Sequence, residues 1–335
     1  MARRKARMLQ GKKLQPAVKT MTFTLPINTP STIDLSQCAS LLNRRFYRQG
    51  LNWAVAGMTF FTSGVGTIQV NKVPDTWVAS NAWEKGFRAW QKMNNDALDE
   101  AESVRPRFLD FKVYMDSVHH QAGEIGNALP TDSLLNLATA GEWDYSKVVV
   151  PFGPSSPGNT TDFDVIWTGG NFPGVSPVTG ANGVSLIEGY AASRGLPDIR
   201  DPNAPADAAD AAGSTPENWL SALQNEGIDQ DSEVLADMIS ENNLAPYPFE
   251  NDGVNTDTMY PGGANQLNGL LVHDHEFITG TTIGGTTHID GGMFPCGLIK
   301  FIVENTSGLA GNISIQVNLV PGTHRGYLCE PMTEM

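Results

Sequence analysis

The chain has 335 residues, 40% of them hydrophobic, and a net charge of −14 at neutral pH. This length provides one large β-domain or two ordinary domains, with enough apolar side chains to close a core. Three widely spaced cysteines without a CxxC pair argue against a disulfide framework and a zinc finger, and every long apolar run contains polar residues and glycines that argue against a membrane-spanning helix.

The first 19 residues form a basic segment with seven of the 22 Lys and Arg residues and no Asp or Glu. The other 316 residues carry 15 basic and 36 acidic side chains, a net charge of −21. A cationic arm neutralises phosphates without reading a base sequence, whereas an acidic body repels nucleic acid. We therefore predict a disordered nucleic-acid-binding arm over 1–19. Its predicted contacts are Arg3, Arg4, Lys5, Arg7, Lys12, Lys13 and Lys19.

A short basic N-terminus is also typical of a nuclear localisation signal, an organelle presequence or a plain disordered tail. Gly11 and Pro16 interrupt an amphipathic helix, which disfavours the presequence, and polar residues between 10 and 15 break a secretory apolar core. The signal and the tail remain open alternatives. We expect a soluble protein of the cytosol or nucleus.

After the arm, the sequence predicts strands and one short helix. Residues 20–25 alternate Thr with large apolar side chains, the period-two pattern of a strand with one buried face. Leu51–Phe61 and 66–73 are predicted as the next strands. Between the first two strands, Asp34 is placed to cap a helix over 35–46.

The longest predicted helix spans 80–102. Its apolar side chains recur at steps of three and four on one face, which is typical of a helix that packs on a sheet. These residues are Trp83, Phe87, Trp90, Met93, Ala97 and Ala101. Strand-like alternation returns at 109–115, 147–150 and 163–167.

Residues 151–261 differ in composition, being rich in Gly, Pro, Asn, Asp and Ala. The low-complexity stretch 201–213, with the sequence DPNAPADAADAAG, is unsuited to burying a core. Two short helices are predicted within this excursion, one beginning at Ser214 and one over 231–243. We predict that the excursion forms the outer surface or contacts between subunits, and that the sandwich core lies elsewhere.

The last quarter again predicts strands, over 270–279, 281–290, 297–304 and 312–320. About ten strands, few helices and long loops between strands favour an all-β fold, a β-sandwich of jelly-roll type with helical and loop insertions. The predicted domains are the basic arm, 1–19, and one jelly-roll domain, 20–335, that contains the excursion.

The candidate metal ligands are His273, His275 and His288, on two adjacent predicted strands. Strand alternation puts His273 and His275 on one face, as in the cupin enzymes that bind a divalent metal inside a jelly roll. A cupin motif also needs a Glu four or five residues after the second His, and this chain has Thr and Gly there. A metal-dependent cupin-type enzyme using these histidines is the alternative, while we expect no metal and no cofactor.

No other constellation predicts catalysis. His119 and His120 lie near Asp116 and Ser117 in the sequence, but no GxSxG nucleophile turn accompanies them. The chain has no Walker loop and no GxGxxG motif. We therefore expect no enzymatic activity.

Several segments are distinctive: ARRKARMLQGKK, RRFYRQGLNWAVAG, WEKGFRAW, RPRFLDFK, YPFENDG, DTMYPGGANQ and the end GLIKFIVENTSGLAGNISIQVNLVPGTHRGYL. Along nearly its whole length, the chain resembles the capsid proteins of small circular single-stranded DNA viruses, particularly environmental marine lineages. The resemblance implies a single viral jelly roll with an internal basic arm, here Arg3 through Lys19, which is shorter than the Arg-rich arms of many relatives. Arg44, Arg45 and Arg48 are candidates to extend the inner basic surface, with salt bridges to the acidic body as the alternative.

The expectation is a structural protein. Many copies assemble into an icosahedral shell, a virion, whose inner face binds single-stranded DNA through the arm without sequence preference. Its partners are then other copies of itself and the viral DNA, with no membrane and no small-molecule substrate, and assembly takes place in the host cytoplasm or nucleus. Besides the cupin-type enzyme, a non-viral nucleic-acid-binding β-domain is the second alternative.

Overall fold

The fold is given by a computed structural model. It describes residues 15–62, 64–99, 103, 109–132, 134, 136–151, 160–170, 174–193, 269–279, 285–306 and 312–334. Six of the seven predicted nucleic-acid contacts, Arg3 to Lys13, lie outside the described residues. The same is true of the stretch 201–213 and of both helices predicted after residue 213.

The elements follow one another in chain order. The strands in the described residues are β1 (Thr20–Pro26), β2 (Ser31–Asp34), β3 (Leu51–Phe61), β4 (Gly66–Lys72), β5 (Lys147–Pro151), β6 (Thr160–Ile166), β7 (Asn182–Ser185), β8 (Leu271–Ile278), β9 (Thr286–Pro295), β10 (Leu298–Asn305), β11 (Asn312–Leu319), β12 (Pro321–Gly322), β13 (Gly326–Tyr327) and β14 (Cys329–Pro331). The α-helices are α1 (Leu35–Asn43), α2 (Trp77–Asp99), α3 (Ser117–Ala122) and α4 (Leu186–Ser193).

Two antiparallel sheets form a β-sandwich. The first has the order β1-β11-β3-β9, with the short β14 also pairing with β3. The second has the order β2-β10-β4-β8. Alternate side chains of β1 and β11, such as Phe23 and Ile315, are fully buried in the core between the sheets, because successive side chains of a strand point to opposite faces. The prediction of an all-β sandwich is confirmed.

Local sequence signals predicted several elements closely. β3 matches its predicted range, and β1 extends one residue beyond its predicted end, to Pro26. Asp34 caps α1 by accepting hydrogen bonds from the backbone N–H groups of Ser36, at 2.9 Å, and Gln37, at 3.2 Å. α1 ends at Asn43, before the predicted residue 46, because Arg44 adopts the left-handed conformation with φ of 53°. α2 begins one turn before its predicted start.

The strand predicted over 109–115 does not form, and there the prediction was wrong. Only Tyr114 makes an isolated bridge, to Ile166. The backbone of Val113 bonds instead to a side chain: its N–H donates to Oε1 of Gln49 at 2.6 Å, and its carbonyl accepts from Nε2 of Gln49 at 3.1 Å. The buried alternation of Phe111 and Val113 therefore reproduces the strand pattern without a neighbouring strand.

A long insertion separates β4 from β8 and has its own hydrophobic cluster. It contains a three-stranded sheet, β5-β6-β7, in which β6 and β7 are parallel. Its apolar side chains pack against the aromatic stripe of α2, and Leu298 of β10 joins the same cluster. The described residues 160–170 and 174–193 of the predicted excursion thus supply buried strands and a helix, which differs from the outer-surface position expected of them. Among the described helices, none is long and apolar enough to cross a membrane.

Candidate nucleic-acid interface

The arm joins the sandwich through residues 15–19, which we term the arm root. The carbonyl of Lys19 accepts a hydrogen bond from the N–H of Leu319 at 2.7 Å. The N–H of Val18 donates to Oδ1 of Asn43 at 3.0 Å, and its carbonyl accepts from the hydroxyl of Tyr327 at 2.6 Å. The arm root is therefore fastened to β11, to the end of α1 and to β13. Lys19, the one predicted contact within the described residues, is exposed.

Tyr327 holds this junction from the core side. Its ring is buried and lies 5.4 Å from the ring of Tyr47 and 5.5 Å from that of Trp53, measured between centroids. Burial raises the pKa of Tyr327 to about 12, so the hydroxyl remains a neutral donor to the arm root. The amide of Asn43 donates to the same hydroxyl at 2.7 Å.

Three arginines lie where the arm root meets α1. Nη1 of Arg45 donates to the carbonyl of Pro16 at 3.0 Å, while Arg44 and Arg48 are exposed. No ion pair within 4.0 Å joins any of the three to a carboxylate of the described residues. The salt bridges that were the alternative role for these arginines thus find no partner in that part of the chain.

Arg325 belongs to the same surface and was missed by sequence reasoning. Its guanidinium donates to the carbonyl of Phe46, next to Arg45. In the sequence, Arg325 is a lone Arg in the turn THRGY. It lies some 280 residues after Arg45, so no local pattern predicts that the two segments meet. Tyr327, two residues later, was missed for the same reason.

The three candidate metal ligands do not converge. His273 lies against Phe294 of the core, with ring centroids 4.9 Å apart, and its Nε2 is 3.0 Å from the carbonyl of Asp290. His288 bonds through Nδ1 to the hydroxyl of Thr59 at 3.2 Å, and His275 is exposed. No group of three or more His, Cys, Asp or Glu side chains within the described ranges is arranged to hold a metal.

The expected shared face of His273 and His275 is interrupted by a register shift. On β4, Val70 lies opposite Asp274 and Asn71 lies opposite Val272, so that His273 has no opposite residue. Such a bulge turns the strand and breaks the period-two alternation from which the shared face was inferred.

His119 and His120 are buried structural residues. Nδ1 of His119 accepts from the N–H of Met115 at 3.0 Å, and Nε2 is 2.7 Å from Oδ1 of Asn127. Burial lowers the pKa of His119 to about 4, so the ring is neutral at pH 7. His120 bonds to Asp164 at 2.9 Å with both side chains out of contact with solvent. Both histidine side chains are almost fully buried.

Comparison with protein-family models, curated proteins and solved structures finds no match for this chain. A functional assignment therefore depends on three properties of the molecule itself. These are the strand order of the sandwich, the separation of positive from negative charge along the chain, and the arginines at the arm root.

Proposed function

We propose that this chain is the capsid protein of a small single-stranded DNA virus, with a jelly-roll domain that assembles into a closed shell and a basic arm that binds the genome. The observation that carries the proposal is the pairing of the eight sandwich strands. The charge distribution and the arm root support it independently.

The pairing is nested. Taken in chain order, the eight strands of the sandwich are β1, β2, β3, β4, β8, β9, β10 and β11. The first pairs with the eighth, the second with the seventh, the third with the sixth and the fourth with the fifth. A long hairpin rolled into two sheets produces this order, which supports the jelly roll, an architecture of viral capsid domains, lectins and cupins.

The fold alone does not choose between these functions, since one architecture hosts many of them. A cupin-type enzyme needs its metal ligands together, and His273, His275 and His288 belong to no group of three or more His, Cys, Asp or Glu side chains that could hold a metal among the described residues. A cationic arm on a body of net charge −21 instead favours a polyanionic partner bound at one place. The capsid function accounts for both the strand order and the charge.

The test is particle formation together with DNA binding. We expect the full-length protein to elute in the megadalton range and to appear as closed shells by negative-stain microscopy. Binding to a fluorescent oligo(dT) should weaken steeply with salt. Deleting 1–14 removes six arm cations but keeps the arm root, so it should lower the slope of log K against log[salt] by about 4, at roughly 0.7 per phosphate.

A matched control separates charge from sequence. A variant with residues 1–14 scrambled but unchanged in composition should bind as the parent does, because phosphate neutralisation reads no order of residues. A small, stable oligomer with no salt-dependent DNA binding would contradict the capsid function. Stoichiometric transition metal in protein purified without an affinity tag, lost on His273→Ala, would support the enzyme alternative instead.

A further inference from the structure

Two arginines at the arm root occupy unusual backbone positions. Arg44 has φ of 53° and Arg325 has φ of 51°, both in the left-handed region that L side chains rarely adopt. Gly would adopt this backbone conformation without strain, and Asn would adopt it with less strain than Arg. At two places that the fold brings together, a long charged side chain is kept despite backbone strain. This indicates that the side chain itself has a function.

These arginines belong to one cluster, which we term the arginine cluster: Arg44, Arg45, Arg48 and Arg325. The guanidinium of Arg325 donates to the carbonyl of Phe46, and the hydroxyl of Tyr47 donates to the carbonyl of Arg325 at 3.0 Å. Arg45 is held to the arm root through Pro16. The fold thus brings Arg325 against the segment that carries Arg44, Arg45 and Arg48, next to the arm root.

The cluster is electropositive within an acidic protein. Half-buried His324 lies beside it, and burial, followed by the charges of Arg325 and Arg48, lowers the pKa of that imidazole. The charge of Arg48 acts on the carboxyl group of Asp110, which also accepts the N–H of Gln49. Within the described residues, no carboxylate lies within 4.0 Å of a guanidinium of the cluster.

We propose that the arginine cluster is a second phosphate-binding site, on the folded domain, which holds the backbone of a single-stranded nucleic acid where the strand leaves the arm. Guanidinium groups present paired donors that match phosphate oxygens. Since the arm is covalently joined to the domain next to the cluster, a strand bound by the arm is held close to these guanidinium groups. The inference rests on the proposed capsid function and adds the contact that orders the strand at the shell.

The test variant is Arg44→Asn with Arg325→Asn in the full-length chain, because Asn tolerates the left-handed conformation. The thermal midpoint measures the cost of losing the bond from Arg325 to the carbonyl of Phe46. The control is Arg88→Gln with Lys92→Gln, which removes the same charge from exposed positions of α2. Binding to oligo(dT) is measured by fluorescence anisotropy across salt concentrations. Two lost phosphate contacts should lower the salt slope by about 1.4 and weaken binding roughly tenfold or more near 0.1 M salt. The control should leave the slope unchanged.

A second readout follows the imidazole of His324 by NMR. Bound phosphate offsets the neighbouring guanidinium charges, so adding oligo(dT) to the parent should raise the pKa of His324, and adding it to the double variant should not. If the double variant loses its fold, Arg48→Gln, at an exposed position outside the left-handed region, tests the same site.

The outcomes separate the two proposals. If the parent binds DNA through the arm but the double variant keeps the parental slope and the parental His324 shift, the cluster binds no phosphate and the capsid function stands. If the parent shows no salt-dependent DNA binding at all, both proposals fail. If the His324 shift appears with a heparin fragment and not with oligo(dT), the cluster is a site for sulfated polysaccharide, which overturns the nucleic-acid assignment.

Discussion

At the scale of single residues, Gln49 joins the insertion to the sandwich. Its buried amide donates to Asp34 at 3.1 Å and exchanges two hydrogen bonds with the backbone of Val113, while its own N–H donates to Asp110 at 3.2 Å. The carboxyl groups of Asp34 and Asp110 therefore both contact Gln49 in an environment shielded from water. Burial, opposed chiefly by Lys112, raises the pKa of Asp110 to about 7, and burial also raises the pKa of Asp34.

Asp110 gives the stability a defined dependence on pH. The pKa of Asp110 is about 7 in the folded protein, above the usual value of about 4. Below pH 4 the carboxyl group is neutral in both the folded and the unfolded state. As the pH rises from 4 to 7 it ionises first in the unfolded state, so the free energy of unfolding falls. We expect Asp110→Asn to match the wild type at pH 4 and to be more stable at pH 8, by at most about 4 kcal/mol. Urea unfolding at both pH values measures this, and a stability difference that does not change with pH would contradict it.

At the scale of elements, a buried ion pair docks the insertion on the second sheet. Nζ of Lys300, on β10, bonds to Asp116, and both side chains are almost fully buried. Asp116 also caps α3 by accepting the N–H of His119 at 2.9 Å. The pair thus orients the start of α3, and with it the two buried histidines, against the sandwich.

Breaking this pair should be costly, whereas replacing it should not. Lys300→Met leaves the buried charge of Asp116 without a partner, and we expect the free energy of unfolding to fall by about 3–5 kcal/mol. Adding Asp116→Asn removes that charge and keeps a capping oxygen, so the double variant should recover most of the loss. Urea denaturation of both single variants and the double variant gives the coupling. Additive losses would mean that the two side chains do not depend on each other.

At the scale of the whole molecule, the two largest hydrophobic clusters of the described residues lie in different parts of the fold. One lies between the sheets of the sandwich, and the other lies in the insertion between β4 and β8, with α2 and the β5-β6-β7 sheet. Leu298, the first residue of β10, belongs to the second cluster together with Cys296 in the turn before it, while the next residue, Ile299, belongs to the first. The strand β10 is therefore shared between the two clusters.

The low-complexity stretch 201–213 should be dispensable for both clusters. Its composition offers no large apolar side chain, so we expect that a short Gly/Ser linker in its place leaves the β-type circular dichroism and the thermal midpoint unchanged. Particle formation should be altered or lost if the stretch contributes to contacts between subunits. Unfolding of the linker variant would instead place the stretch within a core.

The sequence by itself determined the features that depend on neighbours along the chain: the alternation of β1 and β3, the cap of α1 at Asp34, the aromatic stripe of α2 and the charge of the arm. Tertiary structure alone decided which distant segments meet. β1 pairs with β11 some 290 residues later, Arg325 bonds to the chain beside Arg45, and Gln49 satisfies the backbone of Val113 where alternation predicted a strand. Hydrophobic periodicity records which side chains are buried, but hydrogen-bond partners depend on what the fold places opposite each backbone group.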